Sequence, residues 1–280
     1  MSVMASDLAL MPRRARKSRP TLVVLSGVFV VLTVGCAVLG PSLLGTRASA
    51  MNPFSFGTAP SAAHLLGTDE LGRTVLARIV VGAGNALLGP LIIAISGFVI
   101  SSAVVVTVGY LGGRIDNATM RLVDFLLAFP SLLLIIVIVS VTGGGYAMAI
   151  AVLVVLNAPS DIRIIRSAVL AQRSLPYVEA LRVTGVPLRR ILFRHFVPNV
   201  LPLLVADFAL DFAAALVALA GLAFLGLGLP PGTADWGQMI TEGQSVLFSN
   251  PFASLAPAAC VVLLAVSFNL LGDWAHNRFA

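Results

Sequence analysis

Lysine is almost missing from this chain: Lys17 stands alone among 280 residues. A phosphate-binding loop needs lysine directly after its glycines to hold the nucleotide, and no Gly-x-x-x-x-Gly-Lys-Ser/Thr occurs. The chain therefore does not bind and hydrolyse ATP by that route. Only two cysteines are present, Cys36 and Cys260, both inside apolar stretches and without ligand-spaced neighbours. They imply no disulfide framework and read as small buried residues. The three histidines, His64, His195 and His276, lie far apart, and no HExxH is found. No catalytic residues and no resident cofactor or metal are expected. Charge is scarce too, at 11% of residues, where a soluble domain carries roughly a quarter. With 58% hydrophobic residues and a mean hydropathy of +1.00, the chain would expose far too much apolar surface in water. The net charge of +6 and pI near 10.3 then mark the inner side of a bilayer, not a nucleic-acid partner.

What is present is a series of long uncharged runs. Residues 20–46 suffice for one crossing of ~20 residues. Residues 79–113 form another run, in which Gly82, Gly84, Gly89 and Pro90 place the helix in the second half. Residues 125–160 hold no charge, a length of ~54 Å as helix against a hydrocarbon core of ~30 Å, so they must contain two helices. Thr142-Gly-Gly-Gly-Tyr146 is the turn between them. Residues 200–228 are interrupted only by Asp207 and Asp211, and a last run follows Pro251 to about Leu271. Six transmembrane helices result, in an all-α polytopic membrane protein.

The first run follows Arg13, Arg14, Arg16, Lys17 and Arg19, and Ala48-Ser-Ala50 resembles a signal cleavage site. Its apolar stretch is about twice the usual signal core, which favours an uncleaved anchor. With the N-terminus inside, fifteen of the eighteen basic residues fall on the cytoplasmic side and only Arg47, Arg73 and Arg78 outside. Both termini are then cytoplasmic in a multi-pass protein of the plasma (inner) membrane.

Between two of the apolar runs lies a charged island, residues 176–198. Tyr177 to Thr184 reads as a short helix that Gly185 ends in a left-handed turn. Pro187 stands at the first position of a second helix. In it Leu188, Ile191, Leu192 and Phe196 share one face, and Arg190 and Arg194 the other. Glu179, Ala180, Gly185 and Pro198 fit the spacing of the Glu-Ala-Ala signature of importer-type ABC transporter permeases, with Leu181 replacing the second alanine. The His195-Phe-Val-Pro-Asn sequence resembles the form found in peptide and nickel permeases.

Other segments extend the resemblance over most of residues 60–275. His64-Leu-Leu-Gly-Thr-Asp-Glu-Leu-Gly-Arg73 is similar to the family segment before the second span, although Thr74 stands where an Asp is common. Gly109-Tyr-Leu-Gly-Gly113, Met120-Arg-Leu-Val-Asp124 and Ala128-Phe-Pro-Ser131 look like its next junction. Phe224-Leu-Gly-Leu-Gly228, Asp235-Trp-Gly237 and Phe268-Asn-Leu-Leu-Gly-Asp273 look like its last two spans. Any of the glycine-rich pieces also serves close packing or turns on its own account.

The resemblance implies a type I ABC importer permease fold. Its expected parts are a basic cytoplasmic tail (1–20), a first transmembrane helix (21–44) and an extracytoplasmic segment (45–80). A five-helix transmembrane domain (81–275) with a cytoplasmic coupling loop (171–199) and a C-terminal tail (276–280) follow. It implies a permease subunit that is no enzyme itself. Its partners would be a homologous second permease, two ATPase domains carrying ATP and Mg, an extracytoplasmic binding protein and the lipid bilayer. Glu179, Ala180, Gly185, Arg189, Arg190, His195 and Pro198 would form the ATPase-coupling element.

Asp207 and Asp211, at i and i+4, share one helix face inside a span. An intramembrane carboxylate is costly unless paired or wet. They either line the translocation path, with Pro130 kinking a neighbouring span, or pair with arginines near the inner surface. Arg121 and Asp124 could equally orient a helix end. A path with few fixed charges suits short peptides, whereas metal import would call for His, Cys or clustered carboxylates. Short peptides are therefore the expected cargo, and nickel or another small solute is the alternative. A secondary transporter or channel, independent of ATP, is a remaining rival.

Overall fold

The computed structural model describes residues 20–104, 112–143, 145–191, 193–194 and 197–279. Ten α-helices are described: α1 Pro20–Ser49, α2 Val75–Val104, α3 Gly113–Leu127, α4 Ser131–Thr142, α5 Gly145–Arg173, α6 Pro176–Val183, α7 Leu188–Ile191, α8 Val197–Phe224, α9 Trp236–Glu242 and α10 Phe252–Phe279. Five of them, α1, α2, α5, α8 and α10, are long and apolar enough to cross a membrane, and α3 with α4 makes a sixth crossing if the bent pair counts as one. Many of their large apolar side chains, such as Val31, Val38 and Leu43 of α1, face outward. That is unfavourable in water and natural in lipid.

α8 is the central column, packed on α2, α5, α9 and α10, while α1 covers α2 and α10 from outside. One core joins α2, α8, α9 and α10 around Phe212, which stacks on Phe268 with centroids 3.6 Å apart. A second joins α2, α4, α5 and α8 around Ile93, Ile135, Leu153 and Leu219. A third, at the opposite end of the bundle, joins α3, α5, α6, α7 and α8.

The structure corrects the sequence reading at three places. α2 begins at Val75 and runs straight through Gly82, Gly84, Gly89 and Pro90, so these residues do not delay the helix. They are contact points instead: a Cβ on Gly89 would lie 2.0 Å from Tyr146 Oη of α5, and one on Gly82 3.2 Å from Trp236. The non-helical segment after α1 is accordingly shorter than 45–80. Pro130 does not kink one continuous helix: it precedes the first residue of α4, at a break where α3 and α4 meet at 77°. Third, Pro187 lies just before α7 and its carbonyl accepts from Arg190 N at 2.8 Å. The Thr142–Tyr146 turn is where the sequence placed it, with Gly143 at φ +60° closing α4.

Residues 50–74 fold down over the end of the bundle that carries α9. Asn250 Nδ2 donates to the carbonyls of Leu66 and Thr68, each at 3.0 Å. His64 Nδ1 pairs with Thr74 Oγ1 at 3.1 Å, which gives a structural use to the threonine that replaces the family's Asp. Asp235 caps α9 through Gln238 N at 3.1 Å, and burial pushes its carboxyl up from the ordinary range.

Candidate functional site

At the opposite end, α6 and α7 form an elbow between α5 and α8. Pro176 opens α6. Gly185 takes φ +75° and Val186 N donates to Leu181 O at 3.1 Å. This satisfies the Leu181 carbonyl in the last turn of the helix and brings Val186 and Leu181 together on the apolar cluster below. A β-carbon at Gly185 would meet nothing within 4 Å, so the requirement for glycine there is conformational. Val178 and Ile191, each 1% exposed, are driven into the cluster of Ile162, Ile165, Val169, Val200 and Leu204. Tyr177 Oη donates to Gln172 Oε1 at 3.0 Å and accepts from Asn199 Nδ2 at 3.2 Å, tying the elbow to the end of α5 and the start of α8.

The outward face carries the residues singled out from sequence. Glu179, Ala180, Gly185, Arg190 and Pro198 are all exposed. Pro187, Arg190, Phe193, Arg194 and Pro198 line an open groove. Arg189 falls within α7, and His195 lies outside the described residues. The geometry is a rigid, charged knuckle with an apolar root. Beside it, Arg166 holds Asp116 through two bonds of 2.7 and 2.6 Å, and Arg163 pairs with Asp124, bracing α3 on α5. Asp124 thus pairs with Arg163, on a different helix.

Asp207 and Asp211 lie one turn apart on α8, and both turn toward a residue the sequence reading missed. Asp161 of α5 offers a carboxylate oxygen to the same point, and one oxygen from each of the three lies within 4.8 Å of the others. Asp161 and Asp207 are buried and Asp211 half-buried. No ion pair among the described residues reaches any of them. The expectation of a lone acid pair is therefore corrected to a cluster of three. Asp161 directly follows the charge-free run 125–160 and read as its boundary. The signal that could have found it is the apolar spacing of Ile162, Ile165 and Val169, which carries α5 onward past it. Pro130 is exposed and distant in role from this cluster, at the α3–α4 break.

A third feature is an open apolar trough of about 760 Å³, lined by Leu132 and Ile136 of α4, Leu210, Val217 and Gly221 of α8, and Asn269 of α10.

A bundle of five or six membrane-length helices, with a charged knuckle on one end and a folded cap on the other, defines a polytopic helical membrane protein. The chain belongs to the family described as "Binding-protein-dependent transport system inner membrane component", whose model matches residues 99–280. It is a transport subunit and not an enzyme. Among relatives, it is 36% identical over 266 residues to the "Probable peptide ABC transporter permease protein y4tQ" of Sinorhizobium fredii, covering 95% of this chain and 90% of that one. It is 33% identical over 258 residues to the "Glutathione transport system permease protein GsiD" of Pectobacterium atrosepticum, covering 91% and 85%. With the "Probable D,D-dipeptide transport system permease protein DdpC" of Escherichia coli it shares 32% over 252 residues, covering 90% and 85%.

Proposed function

We propose that this chain is one of two permease subunits of an ATP-driven importer that carries short peptides across the plasma membrane. The observation that carries the proposal is the elbow. Its apolar root at Val178 and Ile191 is locked to α5 and α8, while Glu179, Ala180, Arg190 and Pro198 are left free to seat in another protein. Arg189 and His195 belong to the same coupling element by sequence. Two ATPase domains, carrying ATP and Mg, dock there from the cytosol, where the N-terminus also lies. Closure of the ATPases moves the elbow, and α5 and α8 follow as bodies.

A second permease closes over the apolar trough, and an extracytoplasmic binding protein delivers cargo to the capped end. The relatives named for peptides, glutathione and D,D-dipeptides support a small peptide as cargo. So does a trough whose wall is mostly aliphatic, because varied side chains must pass without being held. The test is uptake by the complex of this chain with its partner subunits, reconstituted in vesicles. A labelled dipeptide should accumulate only with ATP and binding protein. Accumulation of Ni²⁺ in place of peptide would make the alternative cargo correct, and uptake without ATP would point to a secondary transporter.

A further inference from the structure

We propose that Asp161, Asp207 and Asp211 form a resident site for a hard divalent cation of about the size of Ca²⁺, inside the bundle above the elbow. The three side chains come from two helices, and their oxygens converge without mediation by any other described residue. Asp161 is 1% exposed. Its Oδ2 is buried, and among the described residues no N–H or hydroxyl donates to it; the group beside it is the carboxyl of Asp211. A buried acceptor left without a donor is a strongly unfavourable arrangement unless something positive sits beside it. That oxygen points into the cluster. The spot where a Cβ on Gly97 of α2 would lie is 2.8 Å from Asp161 Oδ2 and 3.6 Å from Asp211 Oδ2. α2 thus closes the third side of the site with a hydrogen atom only, which leaves the carboxylates room to face a common centre.

Chemistry and size select the occupant. All donors are carboxylate oxygens, the set preferred by Ca²⁺, Mg²⁺ and Mn²⁺ over the softer metals. Oxygens all within 4.8 Å of one another lie no more than about 2.8 Å from a common centre, close to the roughly 2.3–2.6 Å typical of calcium. Three carboxylates in a low-dielectric interior cannot remain ionised together without a counter-charge, and no described arginine supplies it. A peptide ammonium is too bulky to reach an oxygen as enclosed as that of Asp161. The position also has a purpose. Asp207 lies ~15 Å of helix rise from Val197, directly above Ile162, Ile165, Val200 and Leu204, which grip the elbow. An ion there pins α5 to α8 about 15 Å along the bundle from the elbow.

The experiment takes the full complex, strips it with chelator and titrates it with Mn²⁺, read by electron paramagnetic resonance and by thermal melting. Wild type should bind Mn²⁺ displaceably by Ca²⁺ and melt at a higher temperature when loaded. Asp161→Asn and Asp211→Asn should each remove one Mn²⁺ from the complex. Gly97→Ala keeps every ligand but crowds Asp161 Oδ2, and should weaken that Mn²⁺ by about tenfold or more, as disturbances around a metal's ligands do. Equal Mn²⁺ binding in all three variants, or none in wild type, would overturn the site. So would a protonated-carboxyl infrared band that disappears in Asp161→Asn yet survives saturating Mn²⁺, since a shared proton would then hold the cluster. ATP-driven Mn²⁺ entry into vesicles that needs Asp161 would make the metal cargo and likewise overturn residency. Peptide uptake is scored separately, so loss of the ion site and loss of the transport reading remain distinct results.

Discussion

Arg73 Nη2 donates to Glu242 Oε2 at 2.8 Å, joining residues 169 positions apart in the chain. The bond is one edge of a buried network. Arg73 Nε and Arg78 Nη1 both donate to Asp69 Oδ2, at 2.7 and 2.6 Å, and Arg78 also reaches Glu242. Arg73 Nη1 and Arg78 Nη2 donate to the carbonyls of Gly232 and Thr233 at 3.2 and 3.1 Å, and Arg78 Nε is buried with no partner among the described residues. Two positive and two negative groups cancel, and both arginines are only 1% exposed.

Removing one carboxylate should therefore cost far more than a surface ion pair. Glu242→Ala leaves two buried guanidinium groups on one aspartate and is expected to destabilise the protein by ~3–5 kcal/mol. Glu242→Gln retains an acceptor oxygen and should lose less. Thermal melting of the purified complex in detergent checks both, and an unchanged melting temperature for Glu242→Ala would deny the network any part in stability.

Gly89→Ala should strain the α2–α5 contact, because its methyl group would lie 2.0 Å from Tyr146 Oη and 2.8 Å from Leu219 Cδ1. A loss of ~1–3 kcal/mol is expected from overpacking. Tyr146→Phe removes the clashing oxygen together with its bond to Asn85 O. The double variant should be more stable than the two single losses added together, and strict additivity in that cycle would show that the two residues do not meet.

At the elbow, Gly185→Val must hold φ +75° with a branched side chain, at ~1–2 kcal/mol or more. Insertion and expression should be unchanged, while substrate-stimulated ATP hydrolysis by the full complex falls. Gly185→Asn, which tolerates the left-handed region, should retain most of it. Glu179→Lys reverses a charge on the exposed face and should also lower stimulated hydrolysis. Wild-type stimulation in both Gly185→Val and Glu179→Lys would remove the elbow from coupling.

Sidedness is checked by single cysteines in a background lacking Cys36 and Cys260. Asn250 is fully buried and unsuitable for labelling, whereas its neighbour Phe248 is fully exposed and Arg190 on the elbow is exposed. A membrane-impermeant thiol reagent added outside intact cells should modify Phe248→Cys and spare Arg190→Cys. Modification of both would refute a cytoplasmic elbow.

The parts of this fold that are legible from sequence are those set locally. Uncharged run lengths give the long helices, and Gly185 and the Thr142–Tyr146 turn follow from backbone preferences of a few residues. What escaped was decided across the chain. The glycines of α2 look like helix breakers in isolation, and only Tyr146, Trp236 and Leu219 explain them. Arg73 and Arg78 counted merely as outside charges until Asp69 and Glu242 met them. Asp161 lies 46 residues before Asp207, and nothing in either local pattern shows that α5 and α8 bring them together. From sequence Pro130 reads as a kink within one helix, because composition does not distinguish a bent helix from two helices meeting at 77°.

The buried clasp of Asp69, Arg73, Arg78 and Glu242 also decides where the molecule can yield. A load applied at Val178 and Ile191 enters α5 and α8 together and is resisted at the far end, where the clasp locks residues 67–78 to 230–242. The α3–α4 pair, bent at Pro130, leans chiefly on α5 and carries no part of the clasp. Leu132 and Ile136 ride on α4 and form one wall of the apolar trough. The width of the trough is therefore tied to the 77° angle between α3 and α4, at the wall that the clasp does not hold.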